Sequence, residues 1–385
     1  MKSSERILTT HVGSLPRPAD LLEMMLAREN GAATDAAALE ARVARAVDEI
    51  VAKQVALGID VVDDGEQGKA SFLTYINSRL GGFEPGEPRG DVWKTSRESA
   101  AFPEFYAEAA AMASGAPGRA RQMVCTAPVT YTGHAALQAE IATFKRALAK
   151  HGLSTGFLPA ISPSNVENWN GNRYYASEQD YLLAIAEALR EEYEAIVAAG
   201  LYVQIDDPLL ATYYARSPDK TLVDCRKWAE GRVEVLNHAL RNIPPEYVRF
   251  HTCYSINVGP RTSDMELKDL VDIMLRVRAG AFSFEAANPR HEHEWRVWKD
   301  VKLPEGKTII PGVISHTTVL VEHPELVAER IERFASVVGR ENVIAGADCG
   351  FSSFAASREM HATVVWAKLR SLVQGAELAS RRLWR

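Results

Sequence analysis

The sequence predicts an α/β protein, a single catalytic (β/α)8 barrel over residues 1–385 with loop insertions. Three observations carry that expectation. Short apolar, strand-like runs alternate with amphipathic helical patterns almost throughout, which implies parallel strands joined by helical crossovers. A length of 385 residues suits one such barrel with insertions. Residues with metal-binding or acid–base chemistry stand at the downstream ends of several runs, where a parallel barrel assembles its site.

The elements follow in order. Residues 7–12 form the first strand and lead into the turn Gly13-Ser14-Leu15-Pro16-Arg17-Pro18. Thr34 or Asp35 caps a helix that carries Leu39, Val43, Val47, Ile50 and Val55 on one face and stops at Gly58. Residues 60–64 are the next strand, ending in Gly65-Glu66. Further strands are expected at 122–125, 157–161, 202–205, 248–250, 281–284, 309–314 and 343–347. Helices are expected at 135–150, 178–199, 220–241, 265–278, 324–338 and 358–374. One strand candidate is surplus to a barrel of eight. The run at 157–161 is set aside because Pro159 and Pro163 bracket it and proline is poor in a central strand. A doubly wound open sheet would want a Gly-rich phosphate loop after an early strand, and the sequence has none. Residues 81–97, polar with glycines and prolines, read as a long surface loop or lid.

Composition narrows the class. Hydrophobic residues make up 46% and charged residues 24%, the balance of a globular chain with a large core. A formal net charge of −6 argues against a nucleic-acid footprint. No apolar run approaches the ~20 residues of a membrane span, and the first ten residues lack the apolar middle of a signal peptide. Four cysteines in so long a chain make a disulfide scaffold a poor reading. The expectation is a reduced, cytoplasmic enzyme that acts on small molecules. Homo-oligomerisation is left open.

The strongest chemical signal is His251-Thr252-Cys253, followed at long range by Glu285 and Cys349. His251 and Cys253 are two apart, so on a strand both side chains face the same way. One imidazole, two thiolates and a carboxylate suit a tetrahedral, borderline-soft ion, meaning Zn2+. Taken singly, each of these residues is better read as core packing. All four together at strand ends reverse that weighting. Their wide separation favours a catalytic over a structural zinc, which usually has close ligand pairs. Zinc with two thiolate ligands is a modest Lewis acid, but it stabilises a further thiolate well. The site therefore suits sulfur alkylation better than hydrolysis.

Other residues draw plainer readings. His291-Glu292-His293-Glu294 looks metal-like but reads as a solvated face at a polar helix start. Cys125 and Cys225 read as packing residues. Trp169, Tyr174 and Tyr175 read as packing, with an aromatic pocket wall as the alternative. Asp207 is divided between a site residue and a turn residue.

A resemblance gathers these residues. The segments Thr9-Thr10-His11-Val12-Gly13-Ser14-Leu15-Pro16, Asp63-Asp64-Gly65-Glu66, Ala127-Pro128-Val129-Thr130, Gln204-Ile205-Asp206-Asp207-Pro208, His251-Thr252-Cys253-Tyr254, Phe284-Glu285, Pro311-Gly312-Val313 and Asp348-Cys349-Gly350 resemble the C-terminal catalytic barrel of cobalamin-independent methionine synthase. They also resemble the related epoxyalkane:coenzyme M transferases. The resemblance implies a barrel of the methionine synthase and uroporphyrinogen decarboxylase type, with His251, Cys253, Glu285 and Cys349 holding zinc. It implies that Gly13, Ser14, Glu66 and Asp206 hold the amino-acid part of homocysteine. Two carboxylates suit an ammonium, and turn amides with Ser14 suit a carboxylate. It also implies catalytic roles for Glu66 and for His316, which stands near the family's proton-relaying histidine; an ordinary loop residue is the alternative for His316.

The implied activity is alkyl transfer to a small-molecule thiol, in the first place methyl transfer to homocysteine giving methionine. Two departures bear on the donor. The length is that of one barrel where the full-length family carries two. His134 stands at about the position of the folate-stacking Trp. The donor is therefore open between a folate, a corrinoid and another electrophile, and the segment 161–175 is expected to adapt the pocket mouth. A runner-up keeps the site but opens an epoxide with a different thiol, and a third reading is a non-catalytic zinc-binding barrel.

Overall fold

The computed structural model of the chain describes residues 2–29, 31–87, 93–113, 122–254, 259–355 and 360–385. Among them run ten strands: β1 (Leu8–Thr9), β2 (Leu80–Pro85), β3 (Met123–Tyr131), β4 (Phe157–Ile161), β5 (Gly171–Asn172), β6 (Tyr202–Asp206), β7 (Val248–Thr252), β8 (Ala281–Phe284), β9 (Thr308–Ile314) and β10 (Ile344–Ala347). Seven form one sheet in the order β1-β10-β9-β8-β7-β6-β4, and every pairing in it is parallel.

The two edges of that sheet meet through segment 61–63. Val61 bridges Thr10 and Asp63 bridges Phe157, both in parallel sense. Val61 N donates to Thr9 O at 3.1 Å and Phe157 N to Val62 O at 3.0 Å. Eight strand positions thus close into a ring, the arrangement expected of a (β/α)8 barrel.

The surplus strand is not the one expected. Residues 157–161 are a barrel strand, with Pro159 opposite Gln204 in register. Proline is tolerated because alternate N–H groups of a strand point to opposite sides. Phe157 N and Ile161 N face the 61–63 side, the latter donating to Tyr75 Oη at 3.1 Å. Pro159 therefore lacks its donor where segment 61–63 has already turned away, and its carbonyl accepts Lys69 Nζ at 2.5 Å. The run at 122–125 belongs instead to β3, in a second sheet of order β2-β3-β5.

The expected loop at 81–97 likewise holds most of β2, antiparallel to β3. Gly82, at φ +90, lies where a Cβ would stand 2.8 Å from Ala127 O, so the glycine that reads as a turn signal here allows close strand approach. Residues 88–92 of that stretch lie outside the described residues. Glu192 ties this outer sheet to the barrel, accepting from Tyr75 Oη at 2.7 Å, Tyr131 Oη at 2.6 Å and Arg79 Nη1 at 3.1 Å.

Helices Ala36–Leu57, His134–Lys150, Glu178–Ala198, Leu222–Ala239, Pro324–Val338 and Ala362–Leu383 supply crossovers. The first is bounded as its sequence predicts: Asp35 accepts from Ala37 N and Ala38 N, and Gly58 closes it at φ +88. The helix expected at 265–278 is reduced to a 3-10 turn, Leu267–Asp269, and one α turn, Val271–Met274. Buried Glu294 takes Leu267 N at 2.7 Å, so the first turn is fixed from outside rather than continued as a helix. No described helix is long and apolar enough to cross a membrane.

Candidate active site

The residues singled out by the sequence gather at the C-terminal mouth of the barrel. Gly13 and Ser14 follow β1, Glu66 follows segment 61–63, and Asp206 ends β6. His251 stands near the end of β7 and Cys253 just after it, Glu285 follows β8, His316 follows β9, and Asp348 and Cys349 follow β10.

Three of the four expected metal ligands converge. His251, Cys253 and Cys349 each offer a ligand atom within 4.8 Å of the others, and all are buried. The two sulfurs are 3.5 Å apart, and the cysteines are free thiols. Two sulfurs at ~2.3 Å from one tetrahedral zinc would stand about 3.8 Å apart. Ser283 Oγ lies 3.3 Å from His251 Nδ1, while buried Nε2 has no hydrogen-bond partner. Burial pushes the His251 imidazole down to about 3, so it is neutral and its lone pair is available for a metal. The donor set fits zinc.

Glu285 stands outside that trio. Its carboxylate accepts Tyr254 N at 2.6 Å and Asn288 Nδ2 at 2.5 Å, and Arg261 Nη2 is 3.3 Å from Oε2. It falls instead with His316 and Asp348, their ligand atoms within 4.8 Å of one another. Asp348 Oδ1 accepts Ala286 N and Ala287 N, both at 2.8 Å, which laces the end of β10 to that of β8. Burial, then the Glu285 charge, raises the Asp348 carboxyl to about 6.

On the side of β1, segment 61–63 and β6 stand the buried carboxyls of Asp63, Glu66 and Asp206. Gly13 has φ +140, and a Cβ there would meet Pro159 Cγ at 2.7 Å and Glu66 Oε1 at 2.9 Å, so only glycine fits beside this carboxylate. Glu66 itself has φ +52, and Arg17 Nη2 holds its carbonyl at 2.9 Å. Asp206 accepts Gln204 Nε2 at 2.9 Å. Buried Glu66 Oε2, Asp63 Oδ2 and Gln204 Oε1 have no hydrogen-bond partner, so acceptors are left for a cation. Burial lifts the Glu66 carboxyl to about 7 and Asp206 well above the usual carboxylate range. Ser14 Oγ faces the loop after Cys349, 3.3 Å from Ser352 N.

The buried Glu66 charge has a consequence for stability. A raised carboxyl favours the folded state at low pH, and that contribution is lost as pH rises through about 7. Glu66→Gln is expected to stabilise the ligand-free protein at pH 8 by about 3 kcal/mol. The gain should vanish near pH 4, as denaturant titration at both pH values would show.

Several residues missed in the sequence complete the site. Arg249 precedes His251 by two on β7 and is fully buried. It donates to Thr10 Oγ1 at 3.1 Å and His11 O at 2.9 Å, with its guanidinium 3.6 Å from the centre of the Phe157 ring. A cation inside an apolar strand, in phase with two ligands, was the available signal. The solvated-face reading of 291–294 holds for His293, which is exposed, and is corrected for His291 and Glu294. His291 and Glu294 are buried, and His291 joins Asp264 at 3.0 Å to Glu294 at 2.8 Å while stacking on Tyr254. Asp207 is a turn residue, accepting Ser164 Oγ at 2.8 Å and Asn165 Nδ2 at 2.9 Å. Tyr175 Oη accepts Val129 N at 2.9 Å while Tyr174 is half-exposed, so neither builds an enclosed wall. Cys125 and Cys225 are buried in packing positions. His134 is exposed and paired with Glu191 at 2.7 Å.

Residues 7–377 match the family described as cobalamin-independent synthase, catalytic domain. A methionine synthase of Thermococcus kodakarensis is 24% identical over 378 residues, covering 98% of this chain and 94% of the relative. One from Saccharolobus islandicus is 24% identical over 387 residues, covering 98% and 96%. These relatives are therefore of one-barrel length themselves. A B12-independent methionine synthase from a Shewanella species, solved in complex with selenomethionine, superposes with a TM-score of 0.75 at 18% identity, over 98% of this chain and 99% of that one. A putative vitamin-B12 independent methionine synthase from Listeria monocytogenes gives 0.67 at 19% identity, over 97% and 98%. At such identities the structural likeness is one of fold, and it is the barrel the sequence predicts.

Proposed function

Because the chain belongs to the family of cobalamin-independent synthase catalytic domains, we propose that it is a zinc-dependent methyltransferase that methylates homocysteine to methionine, acting as one catalytic barrel in a reduced, cytoplasmic setting. One observation carries this reading. A buried His251–Cys253–Cys349 cluster with an unpartnered imidazole nitrogen shares the barrel mouth with Glu66 and Asp63, whose buried carboxylates each have an oxygen without a partner. A thiol-activating centre and an ammonium pocket on one platform suit an amino acid that carries a thiol.

Zinc held by His251, Cys253 and Cys349, with Glu285 as the fourth ligand, would supply a soft Lewis acid that keeps the substrate sulfur a thiolate at neutral pH. The remaining work belongs to the chain. Glu66 and Asp206 bind the ammonium, and Gly13 lets it approach by leaving no Cβ in front of Glu66. The turn amides and Ser14 receive the carboxylate. His316, grouped with the Asp348 and Glu285 carboxylates, is the residue we assign to protonate the leaving group, the thiol proton having already left to solvent. Fixing the sulfur and the amino-acid end together supplies proximity for attack on the methyl carbon.

Titrating the zinc-loaded protein with homocysteine in buffers of differing ionisation enthalpy should show proton release and zinc-dependent binding. Equal affinity in the apo protein would sink the reading. Homocysteine affinity should also weaken as pH falls below about 7, where Glu66 takes up its proton and no longer offers a charge to the ammonium. Glu66→Gln should flatten that part of the profile and bind homocysteine about tenfold more weakly at pH 8.

A further inference from the structure

We propose that Arg261 is a positioning residue that competes with the metal for Glu285, and so sets how readily the substrate sulfur takes that carboxylate's place. This rests on the zinc reading above and extends it to residues that do not touch substrate.

The geometry is that of a built alternative seat. Both Glu285 oxygens are engaged away from the His251–Cys253–Cys349 cluster, one by Tyr254 N and the other by Asn288 Nδ2. Arg261 Nη2 lies 3.3–3.4 Å from the two oxygens and is the cation among these donors. Glu285 is fully enclosed, and an enclosed carboxylate without a counter-charge is costly, so Arg261 makes this position tenable in place of the metal.

The arginine is itself held in place. Its Nε donates to Asp264 at 2.8 Å, and Asp264 is fixed in turn by His291 at 3.0 Å. The backbone of Arg261 sits at φ +60, a strained value for a residue with a side chain. Buried Glu98, from helix Arg97–Ala101, keeps it there by accepting Arg261 N at 2.9 Å, Thr262 Oγ1 at 2.9 Å and Ser263 N at 2.8 Å. The cation facing Glu285 is thus braced from two sides, by the outer helix through Glu98 and by the Asp264–His291 pair.

Were the sulfur to take the place of Glu285, Arg261 would hold the released carboxylate, and no bond to carbon would be made or broken in that exchange. Removing the arginine charge leaves the metal as the better partner for Glu285. Arg261→Gln should therefore raise zinc affinity by about tenfold, the effect of losing one charge-assisted hydrogen bond. The same change should weaken homocysteine binding to the zinc-loaded protein by a similar factor. A merely structural role would lower both affinities together.

The experiment is chelator competition for zinc combined with homocysteine calorimetry, on the full chain, for wild type, Arg261→Gln, Asp264→Asn and Arg261→Gln/Glu285→Gln. Support is an opposite-signed change in Arg261→Gln, the same pattern at smaller size in Asp264→Asn, and no gain in zinc affinity in the double variant. Zinc affinity that falls or holds in Arg261→Gln overturns the proposal. If Arg261→Gln does not fold, Asp264→Asn decides alone. Cys349→Ser separates the two readings: zinc affinity unchanged in that variant means the metal reading itself has failed.

Discussion

Cys349→Ser is expected to cost at least about a hundredfold in zinc affinity and to reduce methyl transfer to background. The loss of a hydrogen-bonding partner behind a zinc ligand already costs about 10- to 100-fold, and here a thiolate ligand itself is replaced by a poor one. Cys349 is chosen over Cys253 because its strand, β10, contributes no other member of the trio. The serine is smaller and stays in a position already bracketed by Asp348 and Gly350, so folding should survive. Metal analysis after dialysis against a weak chelator, alongside homocysteine titration, gives the result directly. Full zinc occupancy in the variant would contradict the assignment.

Gly312→Ala is expected to be the most damaging single-methyl addition at the site. A Cβ at Gly312 would lie 2.7 Å from both Asp348 Cα and Asp348 N, and closer still to Asp348 Oδ1. Backbone cannot swing aside as a flexible side chain does, so the cost is strain across the β9–β10 pair, about 3 kcal/mol. The same shift would move Asp348 off Ala286 N and Ala287 N and displace Cys349 with it. Denaturant unfolding should show the loss of stability, and zinc affinity should fall as well. A Gly312→Ala protein with wild-type stability would mean that β9 and β10 do not approach this closely.

The barrel and its mouth were legible because their signals are local. Period-2 spacing put His251 and Cys253 on one face, and apolar runs located the strand ends where Glu66, Asp206, Glu285 and Cys349 stand. What failed depends on three-dimensional neighbours. Pro159 counts against a strand only if its missing N–H faces a partner strand, which sequence spacing does not reveal. His291 and Glu294 look solvent-facing because each is polar, yet they satisfy one another and Asp264 in the interior. The seat of Glu285 was equally hidden, since Tyr254, Arg261 and Asn288 reach it from two separate loops.

Pro159 has a kinetic consequence. Between β4 and segment 61–63 the barrel wall is completed by one backbone bridge, the Lys69 ammonium and the Tyr75 hydroxyl rather than by a full ladder. That seam is the line along which the ring should open first, since local opening follows the sparsest pairing. Deuterium should reach the amide of Phe157 before those of Val203 and Phe250 on the fully laddered side. Because Pro159 also walls the Gly13 turn, an occupied ammonium pocket should slow that exchange, so the barrel's weakest join would report on ligand binding.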